Sequence, residues 1–295
     1  MSALLGVVGD VVEDIAVYTD TPFAVGSDTP SQIVRRMGGS AANVAVAAGA
    51  LVKTRFFGCV GNDDVGRRLA LELGDALDAR VQVDPREPTG TIVVIVDGEG
   101  ERHMLPHRGA NVNLGPVDEG LLVDLDALHA TVYSLAEGAA VTSVTAAMLS
   151  VGGRGRVTSL DVSSAALIEQ IGPRLLAEEI DLLRPTVVFA NAAEAALLGW
   201  DVLEPSAGRV VIVKHGAGSA LVRTPKGAWP VPTRRVEVSD TTGAGDAFAA
   251  GVLAYVLNEG LGVQTLLGGG AVMSLRLAGA GHKAASQWLV ARRGK

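Results

Sequence analysis

Apolar and polar positions along this chain fall into two patterns. Leu4–Val8 is a short apolar run closed by Gly9-Asp10, which predicts a buried strand and a turn. Residues 14–20 and 31–37 predict two more strands, parted by a turn-rich stretch holding Pro22, Gly26, Asp28 and Pro30. Gly38-Gly39-Ser40 opens an Ala-rich segment, 41–51, that predicts a helix with Ser40 as its N-cap. Residues 55–60 then read as a strand and 64–77 as an amphipathic helix. The β-branched run 91–96, the turn Asp97-Gly98-Glu99-Gly100 and the return 101–105 predict a hairpin. From about residue 112 strands and helices alternate. The strands are expected at 131–135, 157–161, 186–190, 210–214 and 220–223, and two long Ala/Leu-rich helices at 244–258 and 264–279.

Alternation of this kind predicts an α/β fold: a doubly wound, mostly parallel sheet with helices on both faces. The hairpin-like pieces do not fit the alternation and are expected to form a small β-sheet lid. The division is then 1–11, 38–88 and 109–295 for the α/β domain, and 12–37 with 89–108 for the lid. Gly152-Gly153-Arg154-Gly155 reads as a loop.

Composition narrows the classes. Hydrophobic residues at 48% and charged residues at 19% exclude a disordered chain. A net charge of −7 argues against a nucleic-acid surface. The single cysteine, Cys59, permits no intrachain disulfide, which points to a cytoplasmic protein. Asp10, Glu13 and Asp14 break up the apolar N-terminus, so it reads as a strand rather than a signal peptide, and no apolar run reaches membrane-spanning length. The five histidines lack metal-ligand spacing. Trp200, Trp229 and Trp288 are scattered and read as packing.

The chemistry concentrates in Asp240-Thr241-Thr242-Gly243-Ala244-Gly245-Asp246-Ala247-Phe248, followed by an apolar helix. Small residues let backbone approach an anion, and the amides at a helix start can bind it. Asp246 lies where one carboxylate can serve a hydroxyl placed over those amides, the arrangement phosphoryl transfer needs. Gly243-Ala244-Gly245-Asp246 alone reads equally as a Gly-rich turn with an Asp cap. No Walker sequence is present, and Phe248 stands where a dinucleotide fingerprint needs its third glycine.

The whole nine-residue run resembles the C-terminal signature of the ribokinase-like (PfkB) family of sugar and nucleoside kinases. Further segments are similar to the family's motifs, in the family's order: Gly38-Gly39-Ser40-Ala41-Ala42-Asn43-Val44-Ala45; Gly58 to Gly66; Thr89-Gly90; Gly100-Glu101-Arg102; Gly109-Ala110-Asn111; and Asn191-Ala192-Ala193-Glu194. The resemblance implies Asp246 as catalytic base and Gly243, Ala244 and Gly245 as the anion hole. It implies that Asp14, Gly38, Gly39 and Asn43 bind a polyhydroxylated substrate. Asn191 and Glu194 are tied to phosphate and Mg²⁺, Glu194 holding the ion through water. Lys214, Gly216 and Gly218 lie on the ATP side, although Ser219 stands where the family has Gly. An Asn common near Gly270 is missing, which leaves adenine to backbone and apolar walls. Asp240 and Thr242 match a loop that holds a monovalent cation through backbone carbonyls, so K⁺ activation is expected. A homodimer paired through the lids is expected, because a four-stranded lid leaves free edges and an apolar face.

The activity implied is ATP-dependent transfer of a phosphoryl group to a hydroxyl of a sugar or sugar-like molecule. The alternatives are an adenosine- or pseudouridine-like nucleoside kinase and a catalytically idle sugar-binding protein. The intact Asp246 and its Gly-turn speak against the second.

Overall fold

The computed structural model describes residues 2–97, 101–205, 208–233 and 241–291. Among these the main sheet has nine strands: β1 (Leu4–Val8), β4 (Lys53–Gly61), β5 (Asp78–Asp84), β8 (Ala127–Thr131), β9 (Val157–Asp161), β10 (Val187–Asn191), β11 (Val210–Lys214), β12 (Ala220–Thr224) and β13 (Gly227–Val231). Their order is β13-β12-β11-β10-β9-β8-β1-β4-β5. Every pairing from β11 to β5 is parallel, and β12 and β13 close the other edge as an antiparallel hairpin. A second sheet of four strands, β3-β2-β6-β7, is built from β2 (Val12–Tyr18), β3 (Gln32–Gly38), β6 (Thr91–Val96) and β7 (Arg102–His107).

The helices are α1 (Ser40–Gly49), α2 (Asp64–Ala76), α3 (Ala139–Gly153), α4 (Ala165–Ile171), α5 (Pro173–Leu183), α6 (Ala192–Leu198), α7 (Ala244–Asn258), α8 (Val263–Leu267) and α9 (Ala271–Ala291). They form two layers, because the buried strands alternate their side chains between two cores. Val7, Phe56 and Phe189 face one core with Ala41, Val44, Phe248 and Leu253 of α1 and α7. Val8, Phe57 and Val188 face the other with Val144, Ile168 and Ile180 of α3, α4 and α5. Among the described residues no helix is long and apolar enough to cross a membrane.

Four expectations need correction. The strand placed at 131–135 is Ala127–Thr131, and 132–135 form a 3-10 turn. The helix placed at 264–279 is two helices, α8 and α9, broken at Gly268–Gly270. Gly152 and Gly153 end α3 rather than lying in a loop. Ser40 is the first residue of α1, not its cap. Gly39 holds the cap position at φ 98°, where an added Cβ would lie 2.6 Å from the Asp10 carbonyl. The capping is done from a distance: the Asp10 carboxylate accepts the N–H groups of Ser40 and Ala41, each at 3.0 Å. That arrangement leaves the Ser40 hydroxyl free for other work.

Candidate active site

The main sheet reverses its winding at β1. From there the chain steps outward to β4 and β5 on one side, and from β8 to β11 on the other. In open α/β sheets ligands gather outside the carboxyl ends of strands at such a reversal. Five polar residues meet there: Asp10 just past β1, Tyr133 just past β8, and Asp161, Asn191 and Lys214 as the last residues of β9, β10 and β11.

Asp246 faces this cleft from the first turn of α7. One carboxylate oxygen accepts the Ser40 hydroxyl at 2.7 Å, and the other accepts the Asn43 side-chain amide at 2.9 Å. Burial is the main influence on its pKa, which stands at about 6. Asp161's charge adds to the rise, while Ser40, Asn43 and Lys214 oppose it. The preceding turn is braced from α9. Gly243 has φ 77°, and a Cβ there would lie 2.8 Å from the Trp288 indole nitrogen. That indole N–H donates to the Thr242 carbonyl at 3.0 Å. Of the three anion-hole amides expected from sequence, that of Ala244 closes the turn onto the Thr241 carbonyl at 3.1 Å. Gly245 and Asp246 have no helical carbonyl four residues back, so their amides are available to an anion with the helix dipole behind them.

Across from this turn stands a charged cluster. Lys214 donates to Asp161 at 2.6 Å, and both are largely buried. Burial works against the ammonium, yet Asp161 outweighs it and holds the Lys214 pKa above its ordinary value. A Cβ on Gly245 would lie 3.3 Å from Lys214 Nζ, so this cation hangs over the start of α7. Glu194 is 2% exposed, and burial, then the Asp161 charge, raises its pKa. With Asn191 it makes a complete capping box on α6: Glu194 accepts the Asn191 backbone N–H at 2.7 Å, and Asn191 accepts the Glu194 N–H at 2.9 Å. The Asn191 side-chain amide also donates to Glu194 at 2.6 Å. Among the described residues no three His, Cys, Asp or Glu side chains gather to form a metal cage.

Asp14 lies within β2 of the small sheet, not at a main-sheet strand end as its sequence position suggested. It is 8% exposed. A Cβ on Gly38 would fall 2.3 Å from its carboxyl group. The two glycines therefore make room for Asp14 and for the Asp10 backbone. The small sheet meets the turn before α7 through Arg102, which donates to the Thr242 hydroxyl at 2.8 Å. Its return segment is pinned by Asn111, which accepts the Val11 N–H at 2.8 Å and donates to the Val11 carbonyl at 2.9 Å.

Beside the α7 turn opens a cavity of about 230 Å³, with Lys214, Gly216 and Gly245 at its polar end and Ala217, Phe248 and Leu289 as apolar walls. Its lining, polar at the α7 end and apolar beyond, is that of a ligand pocket. Gly218 does not line it; its amide donates to the His215 carbonyl at 3.0 Å and tightens the loop. Asp240, expected at a cation site, and the turn residues Gly98, Glu99 and Gly100 lie outside the described residues.

Sequence reasoning missed Asp10, Ser40, Tyr133, Asp161 and Trp288. Asp161 carried a usable signal, since it ends the expected strand 157–161 in an alternating α/β pattern. Trp288 carried none, because its partner lies 46 residues away.

The pfkB family carbohydrate kinase model matches residues 2–288. The chain is similar to the ATP-dependent ribose-1-phosphate kinase of Halopiger xanaduensis, with 34% identity over 263 residues, 85% of this chain and 84% of that protein. It is also similar to a fructokinase of Salmonella typhimurium, at 28% identity over 88% and 87% of the two chains. Its fold matches the solved adenosine kinase of Sinorhizobium meliloti with a TM-score of 0.80, 22% identity, and coverage of 98% and 94%. The same TM-score relates it to ATP-bound fructokinase of Xylella fastidiosa, at 21% identity over 97% and 93%. The matched model spans both sheets and the turn before α7 alike, and the chain belongs to the pfkB family of carbohydrate kinases.

Proposed function

We propose that this chain is a phosphotransferase that moves the γ-phosphoryl group of ATP to a hydroxyl of a sugar or sugar-like substrate. The observation that carries the reading is the Asp246 carboxylate, held by Ser40 and Asn43 at the amide-rich start of α7 with Lys214 close by. The substrate hydroxyl oxygen forms a bond to the γ-phosphorus as the bridging P–O bond to the β-phosphate breaks. The electron pair leaves with ADP, and the hydroxyl proton passes to Asp246. Charge on the transferred group is met by the α7 amides and Lys214.

Mg²⁺ supplies charge neutralisation on the phosphates when bound. We read Glu194, with Asp161 nearby, as holding its hydration shell. A carboxylate pair without a full cage suits an ion that keeps its waters, and the Glu194 oxygens are already engaged in the capping box. Asp14 and Asn43 are read as meeting the substrate's hydroxyls. Residues 12–37 and 89–108 are read as a lid that keeps water from competing as acceptor. Ile33 and Leu105, on one face of the small sheet, are exposed apolar residues, which favours pairing of two lids in a cytoplasmic homodimer. K⁺ activation through the Asp240 and Thr242 carbonyls belongs to the same reading.

A nucleoside kinase is the second reading, favoured by the presence of adenosine kinases among the relatives. A phosphorylated pentose is a further substrate to weigh, given the ribose-1-phosphate kinase relative. The test is ADP formation across sugars, sugar phosphates, sugar acids and nucleosides, with the parent and Asp246→Asn side by side. Substrate-dependent turnover that Asp246→Asn lowers by about 10²–10⁴-fold, with ATP binding retained, supports the reading. Equal turnover by the two proteins overturns it.

A further inference from the structure

The sugar side of the cleft contains a cation that phosphoryl transfer does not require. Arg108 follows β7 where the chain leaves the small sheet. Its guanidinium stacks over the Tyr133 ring, 4.3 Å from the centroid. Among the described residues it makes no ion pair and no side-chain hydrogen bond. Its backbone is fixed, because the Arg108 carbonyl accepts the Asn111 side chain at 3.0 Å and the Asn111 N–H at 3.2 Å. Gly90 packs against the same carbonyl, where a Cβ would lie 2.6 Å away. The stacked ring and pinned backbone hold a five-donor fork in one place before any ligand arrives.

Arg108 also lies at the reacting end of the cleft. Tyr133 is half-buried, its hydroxyl is 3.4 Å from the Ser163 carbonyl, and burial, then the Asp10 charge, lifts its pKa to about 12. Tyr133 stands just past β8, the neighbour of β1, so the guanidinium on its ring lies at the strand ends near Asp10. The small sheet adds to the positive side. Arg36 is the direct cross-strand partner of Asp14, and Arg102 lies on the row through Tyr18, four residues further along β2 and so on the same face. Arg102 reaches the catalytic turn, which identifies that face as the one turned to the cleft. A chain with net charge −7 thus presents guanidiniums to its substrate.

We propose that Arg108 recognises an anionic group on the substrate, a phosphate monoester or a carboxylate, set away from the hydroxyl that Asp246 deprotonates. Planar, bidentate donors match both oxyanions, and a half-buried cation with its donors unused is best satisfied by one. This rests on the kinase reading above and narrows it to charged sugars over neutral sugars and nucleosides.

The test compares kcat/KM for ribose, ribose 1-phosphate, gluconate and adenosine in the parent, Arg108→Gln and Arg108→Lys. Thermal melts check that each variant is folded. The parent should favour one of the two anions over ribose, and the choice between them separates phosphate from carboxylate. In Arg108→Gln the ratio of kcat/KM for that anion to kcat/KM for ribose should fall about 10- to 100-fold, mainly through KM, as for lost charge-assisted hydrogen bonds. Arg108→Lys should fall between. Using the ratio divides out any general damage. A parent that prefers ribose or adenosine overturns the proposal, as does an unchanged ratio in Arg108→Gln. Equal ADP formation by the parent and Asp246→Asn sinks the kinase reading instead, which is a separate result.

Discussion

Asp246 combines two demands that pull against each other. A base must be ionised to take a proton, yet burial, the largest influence on it, favours the neutral acid and brings its pKa to about 6. Activity should therefore drop about tenfold per pH unit below that value. The Ser40 hydroxyl donates to the ionised form. Ser40→Ala should push the pKa up, so the acid limb of the kcat/KM profile moves to higher pH; a limb that stays in place would show that Ser40 does not hold the base. The same site carries a stability prediction. The folded pKa is above the usual 3.8, so the folded protein binds more protons than the unfolded chain between roughly pH 4 and 6. The ionised carboxylate thus costs stability above pH 6, and that cost disappears as pH falls toward 4. Asp246→Asn should melt at higher temperature than the parent at pH 8, and the gap should close by pH 4. Calorimetry at the two pH values checks it.

At the scale of elements, the site is aimed by the carboxyl ends of strands and by the starts of α1, α6 and α7. The capping box on α6 separates two roles of Glu194. Glu194→Gln can keep the box, so it should fold as the parent does while needing more Mg²⁺ for half-maximal rate, because the carboxylate's charge is gone. Glu194→Ala breaks the box and should cost about 0.5–2 kcal/mol in urea unfolding. An unchanged Mg²⁺ requirement in Glu194→Gln would leave the pair as a cap alone. Helix α7 is aimed by close packing on α9. A Cβ on Gly251 would lie 2.6 Å from the Ala280 carbonyl and 2.6 Å from the Ala284 methyl. Gly251→Ala should cost about 1–3 kcal/mol and lower kcat by tilting α7. Most elements were legible in the sequence, since 3.6-residue and buried apolar patterns mark them directly. The exceptions have physical causes. His129 made 127–131 look polar, but it is fully buried and bonded to Ser159 at 2.8 Å. β5 alternates charged and apolar residues as an edge strand does, and β13 carries Pro230, which only an edge tolerates.

For the whole molecule, the fold could be read in advance, and Asp246 could be proposed as base, because contiguous motifs encode both. The rest of the site was not legible, because it is assembled by contacts between distant parts of the chain. Asp10 caps α1 across the β1 crossover, Trp288 braces a turn from another helix, and Arg102 reaches Thr242 over 140 residues. That last bond joins the small sheet to the turn before α7. Arg102→Ala should loosen the joint and raise ATP hydrolysis relative to substrate phosphorylation, measured as ADP formed per phosphorylated product. A ratio that stays at one ADP per product would show that Arg102 does not control access of water.

The hydrogen bonds that orient Asp246 come from residues 206 and 203 positions earlier. In the order of translation, every described strand, Ser40 and Asn43 are made before Asp246. A chain terminated anywhere between β13 and α7 would lack Asp246 and, with it, Phe248, Val252, Leu253, Leu277 and Ala278 of the core that α1 packs against. Loss of the last fifth of the gene should therefore yield neither an enzyme nor a folded binder, because the helices that carry Asp246 also close that core.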